Sequence, residues 1–145
     1  MKVGGVHKKG PGRGVRGFTL VELMVACAIV AILAAVAYPS YLSQVRKGNR
    51  SAAQAQLMDI ASREQQFLMA NRSYASKTSL EASGYALPSN LSGAYTYGID
   101  TASTPPAFTV TFTAIGRQAS DGSLTLTSEG ARGCVPAPCA SGKQW

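Results

Sequence analysis

The chain of 145 residues has one histidine, one tryptophan, three cysteines and seven acids, and each scarcity removes a class of activity. The histidine is His7, inside a basic N-terminal segment, so no histidine-based acid–base pair or histidine metal cluster can be drawn from the rest. Asp100, Asp121 and Glu129 are scattered and read as solvated loop positions, leaving only a weak calcium site to weigh among them. Serines are plentiful, but none stands in a nucleophile elbow, and no P-loop or dinucleotide-binding glycine pattern occurs. The sequence therefore predicts no catalytic residue, no cofactor and no metal site. Acid is also missing from residues 1–17, where Lys2, Lys8, Lys9, Arg13 and Arg16 lie among glycines and Pro11. That composition opposes helix and strand and reads as a targeting segment, set apart from the fold. Of the net charge of +7, this leader carries most. The remainder is close to neutral, which gives no support to a specific nucleic-acid role.

What is present is organised around one apolar run. From Phe18 to Ala37 only Glu22 is ionisable. As a helix rising about 1.5 Å per residue, the run is about 30 Å long, the thickness of a bilayer's hydrocarbon core. A carboxylate there costs about 3 kcal/mol even on the lenient insertion scale, so Glu22 needs a partner. The basic leader precedes the run, against Arg46, Lys47 and Arg50 after it, which favours a cytoplasmic N-terminus. Ala35-Val36-Ala37 offers a signal-peptidase pattern, with a mature start at Tyr38. The run is long for a signal peptide, however, and holds an acid. A plain membrane anchor fits the length but leaves Glu22 and the Gly17/Phe18 junction without a role.

Beyond the run, Pro39 removes the hydrogen bond to the carbonyl of Ala35, so a kink is expected there. Gly48 and Asn49 form a second weak point. From Ser51 helical periodicity returns, with Leu57, Ile60, Ala61, Phe67 and Leu68 on one face and an Asp59–Arg63 pair at i,i+4 on another. The helix is expected to reach about Asn71, with Tyr38 and Tyr41 as interfacial anchors. Residues 73–93, rich in Ser, Gly and Pro, read as a connecting loop pinned by Tyr74 and Tyr85. Residues 94–99, 107–115 and 123–127 alternate as half-buried strands, with turns at Pro105-Pro106 and Asp121-Gly122 and antiparallel pairing. Tyr95, Tyr97, Phe108 and Phe112 with Arg117 can be drawn as a nucleic-acid surface, but aromatics alternating in strands are far more often core and cross-strand pairs. Cys27 reads as a small apolar residue of the run. Cys134 and Cys139, on the oxidising side, suggest a disulfide that would contribute about 2 kcal/mol.

Gly17-Phe18-Thr19-Leu20-Val21-Glu22 resembles the prepilin cleavage and N-methylation motif of type IV pilins. The resemblance implies cleavage after Gly17 by a prepilin peptidase, N-methylation of Phe18, and Glu22 registering an incoming subunit against the N-terminus of one already in the fibre. It implies an α+β pilin fold: a long N-terminal helix, apolar then amphipathic, packed on a small antiparallel sheet. The expected organisation is a leader over 1–17, an assembly half of the helix over 18–45 and an amphipathic half over 46–72. The connecting loop over 73–93 follows, then strands with a C-terminal cysteine loop over 94–145. The run Glu64-Gln65-Gln66-Phe67-Leu68-Met69-Ala70-Asn71-Arg72-Ser73-Tyr74, with Gly122–Thr127, looks like minor pilins of the motility type; the alternative is a type II secretion pseudopilin. Implied partners are other pilin subunits, the prepilin peptidase, the inner membrane and the pilus assembly machinery. The implied roles are pilus biogenesis, twitching motility or adhesion. Before assembly the C-terminal domain would lie in the periplasm, and afterwards on a cell-surface pilus.

Overall fold

The computed structural model of the protein describes residues 17–135. Most of the leader (1–16) and Cys139, the proposed partner of Cys134, lie outside the described residues. The chain divides after Pro39 into two compact units.

In the first unit, Gly17, Phe18 and Thr19 are non-helical and helix α1 (Leu20–Asn71) begins immediately after them. The helix runs through Pro39. Every residue from 17 to 41 is exposed in the isolated chain.

In the second unit the remainder of α1 buries Ala53, Leu57, Ile60 and Glu64, with Arg50 one turn before them. Spacings of three and four place these on one stripe. Ala61, Phe67 and Leu68, expected on that stripe, are its half-buried flanks. The stripe shares one core with a four-stranded antiparallel sheet in the order β1 (Tyr95–Ser103), β2 (Pro106–Ala114), β3 (Ser123–Thr127), β4 (Arg132–Val135). Tyr95 and Tyr97, then Phe108, Val110 and Phe112, then Leu124 and Leu126, then Cys134 are the buried residues of the successive strands. The register sets Tyr97 against Phe112, Phe112 against Leu124, and Leu124 against Cys134. The Tyr97 and Phe112 rings stack at 5.9 Å, and Tyr74 meets Phe108 edge-on at 4.8 Å. The strand aromatics are thus core and cross-strand pairs, as their alternation predicts.

Three expectations need correction. Residues 73–93 hold two short helices, α2 (Lys77–Ala82) and α3 (Ser89–Ser92), rather than loop alone. Serines that look like loop composition act locally here: Ser76 caps α2, its Oγ accepting from Ser79 N at 3.2 Å. Leu80 and Leu91 then enter the core, which holds both pieces down. Second, Asp121 is not a solvated loop position. It is 1% exposed and ends a 3-10 turn over Gly116–Asp121, with Gly122 beyond it at φ +78°. Third, β4 extends the sheet beyond the three expected strands. Its Gly133 leaves room for the Thr125 hydroxyl, which would lie only 2.6 Å from an added Cβ.

Glu64 fixes the chain's return after α1. Its Oε2 accepts from the Ala75 backbone N–H at 2.8 Å, while the buried Oε1 has no hydrogen-bond partner among the described residues. Burial pushes this carboxyl above its ordinary value of 4.5, and the Ala75 N–H opposes the rise in part. The folded state therefore holds the proton more tightly than the unfolded chain does. Glu64's contribution is most favourable below pH 4.5 and declines as pH rises from 4.5 to the raised folded value. Glu64→Gln is expected to flatten that part of the stability–pH profile and to be no less stable at neutral pH. Denaturant midpoints of both proteins across the acid range check this. A parent profile without the decline, or a variant that keeps it, would contradict the assignment.

Candidate functional site

The start of α1 is built by its own sequence. Thr19 stands just ahead of the helix, and its Oγ1 accepts from the Glu22 backbone N–H at 3.2 Å, while its carbonyl accepts from Leu23 N at 3.2 Å. This is an N-cap with the acid at the third helical position, the T-x-x-E spacing of a capping box. Sequence reading singled out Glu22 and missed Thr19, although that spacing signals the cap. The arrangement puts a carboxylate in the first turn, where the helix dipole favours negative charge. It also leaves Gly17 and Phe18 outside the helix and exposed, Phe18 at 79%. Thr19→Ala is expected to cost about 1 kcal/mol at this end. The check is faster amide exchange at Glu22 in lipid nanodiscs, with amides beyond the second turn unchanged.

Leu20, Val21, Leu23, Met24, Val25, Ile29, Val30, Ile32, Leu33 and Val36 are each more than half exposed. A helix apolar on all sides is a buried helix in its working state, so lipid or other helices must cover it. Length and composition allow this stretch to cross a membrane. Cys27 lies on it with Phe18, Leu23, Ala26, Val30 and Ala31 around a shallow apolar groove. Pro39 falls at the boundary between the two units.

The second unit fastens its helix by a buried polar node. Arg50 Nη1 donates to the Asp121 carbonyl at 2.9 Å and to its Oδ2 at 3.3 Å, and Arg50 Nη2 donates to Cys134 Sγ at 3.3 Å. Gln118, 2% exposed, donates through Nε2 to the Arg46 carbonyl, the Tyr95 hydroxyl and Asp121 Oδ2, all within 3.1 Å. One turn of α1 is thereby tied to the 3-10 turn, β1 and β4. Burial pushes the Tyr95 hydroxyl above its ordinary range. At the other end, burial chiefly, with Asp59 adding to it, raises Tyr85 to about 12, and its hydroxyl donates to Gln56 Oε1 at 3.1 Å. Both phenols thus stay neutral, Tyr95 accepting from Gln118 and Tyr85 donating to Gln56. Gly17, Phe18 and Glu22 lie at the start of α1 in the first unit, while Cys134 joins the node in the second. Asp100, Asp121 and Glu129 are not gathered, and among the described residues no three His, Cys, Asp or Glu side chains form a metal-binding group.

Residues 12–38 match the prokaryotic N-terminal methylation motif. Residues 39–127, more than half of the chain, match the family described as type IV minor pilin ComP, DNA uptake sequence receptor. The type IV wide pilus major component PilA4 of Thermus thermophilus is 39% identical over 64 residues, 44% of this chain and 49% of that protein. The chain thus spans about half the length of this curated relative. A solved type IV pilin from Shewanella oneidensis is similar at 24% identity with a TM-score of 0.48, covering 66% of this chain and 98% of that one. With the methylation motif over its first segment and the family match over the residues that follow, the chain belongs to the type IV minor pilin family.

Proposed function

We propose that the chain is a structural subunit of a type IV pilus, cleaved between Gly17 and Phe18 by a prepilin peptidase and N-methylated at Phe18. It is then drawn from the inner membrane into the fibre through the apolar part of α1. The observation that carries this reading is the capped, wholly exposed apolar helix start with one acid in its first turn. Cleavage creates an amine at Phe18, largely protonated at neutral pH. That amine and the Glu22 carboxylate of a neighbouring helix compensate each other in a bundle. Pro39 supplies a weak point between the assembly segment and the head, and a Cys134–Cys139 disulfide closes the chain's end beyond β4. In this reading the head lies in the periplasm before assembly and on the cell surface after it, serving pilus biogenesis, twitching motility or adhesion. The test is recovery of a tagged chain from surface fibres released by shearing. Retention in the envelope together with a secretion defect would instead favour a type II secretion pseudopilin.

The family's description names reception of DNA, but charge gives that role little support here. Residues 40–135 carry eight Lys or Arg against six Asp or Glu. Arg50, Arg63 and Lys77 are already paired with Asp121, Asp59 and Glu81. Sequence-independent DNA binding rests on many uncompensated cations.

A further inference from the structure

We propose that a groove beside the 3-10 turn binds the phosphate headgroup of an anionic phospholipid while the subunit waits in the membrane. This rests on the membrane-inserted stage of the function proposed above.

The groove has a volume of about 690 Å³ and is lined by Leu42, Val45, Arg46 and Asn49 of α1, by Asn90 of α3 and by Arg117, with no carboxylate among its lining residues. Gln118 forms a fixed floor: its Nε2 is saturated by three acceptors, and its Oε1 takes Asn49 Nδ2 at 3.5 Å. Arg46 is half-buried and Arg117 exposed, and neither belongs to the ion pairs Arg50–Asp121, Arg63–Asp59 or Lys77–Glu81. Arg46 Nη1 spends one donor on the Ser120 hydroxyl at 3.1 Å. The remaining guanidinium donors can take phosphate oxygens in pairs, the geometry for which arginine surpasses lysine.

Sequence supplies the second line. Arg46, Lys47 and Arg50 follow the apolar run on the side where cations are disfavoured. Asp121 accounts for Arg50, whereas Arg46 commits only one donor, to the neutral Ser120 hydroxyl. Arg46 follows the interfacial Tyr41 by five residues, about 7.5 Å of helix, so chain connectivity holds it near headgroup depth. Leu42 and Val45, which precede it, offer an apolar wall to the glycerol backbone. A local groove with such a wall suits one headgroup, whereas a duplex needs a longer track of cations.

The full mature chain is embedded in nanodiscs of mixed phosphatidylcholine and phosphatidylglycerol, and native mass spectrometry counts the lipid retained on release. Phosphatidylglycerol is expected to be retained in preference, with retention falling about fivefold for each of Arg46→Gln and Arg117→Gln. Arg72→Gln, an exposed cation elsewhere, should change nothing. Neither substitution in the groove removes a buried ion pair, so both variants retain the fold. Equal retention of the two lipids, undiminished retention by the double variant, or an equal fall with Arg72→Gln would overturn the proposal. Displacement by inorganic phosphate would make the groove a free-anion site, and displacement by a short DNA duplex a nucleic-acid site; either overturns it. Failure of the chain to embed at all would overturn the membrane reading along with it, whereas embedding without lipid preference sinks the groove alone.

Discussion

Glu22→Ala is expected to reduce incorporation into fibres by about tenfold or more while leaving cleavage at Gly17–Phe18 intact. A carboxylate in an apolar segment costs about 3 kcal/mol, roughly two decades in an equilibrium. The capped helix start offsets up to about 1 kcal/mol of that. The rest must come from a partner, and in a bundle of cleaved subunits the Phe18 amine is the cation at the right depth. Glu22→Gln keeps the shape and loses the charge, so it should behave like the alanine variant. The measurement is the ratio of chain in sheared fibres to chain in membranes, with the N-terminus read in both. If either variant assembles like the parent, the carboxylate merely reaches the nearby interface and registers nothing.

The second large effect concerns the head. Asp121→Ala leaves the Arg50 guanidinium, whose side chain is 7% exposed, beside a vacated partner. Removing one member of a buried pair costs about 3–5 kcal/mol, chiefly the desolvation of the charge left behind. In a domain of this size that lowers the melting temperature by roughly 15 °C. Arg50→Met with Asp121→Leu removes both charges and should recover part of the loss, because no buried charge is left unpaired, although the Asp121 carbonyl loses its donor. Thermal unfolding of the three proteins in one detergent checks this. A loss below about 1 kcal/mol in the single variant would show that the node is not buried in solution.

The difference between these two sites explains what the sequence could reveal. The assembly segment is legible because its signals are local: Gly17, Phe18, Thr19 and Glu22 stand within six residues, and the apolar run announces its own environment. The amphipathic stripe through Leu57 and Ile60 and the alternation of Phe108, Val110 and Phe112 are also local patterns, so the helix and three strands follow from them. The node is not local. Arg50 and Asp121 are 71 residues apart, and an Asp-Gly pair between strands carries the same signal whether its acid is solvated or buried. Strand β4 is four residues long with a glycine inside, too short for alternation, and forms because its partner β3 is already in place. Helices α2 and α3 are similarly short, and their buried Leu80 and Leu91 depend on a core that only the tertiary fold supplies. Glu64 sits on the apolar stripe itself, where its burial reflects the return of the chain at Ala75.

The most direct measurement is the N-terminal residue of the mature protein, taken by mass spectrometry from cells that contain a prepilin peptidase. The account predicts N-methylated phenylalanine at Phe18. A start at Tyr38 would contradict it by placing the apolar segment in a discarded signal peptide, and an intact Met1 would contradict it by leaving a fixed anchor.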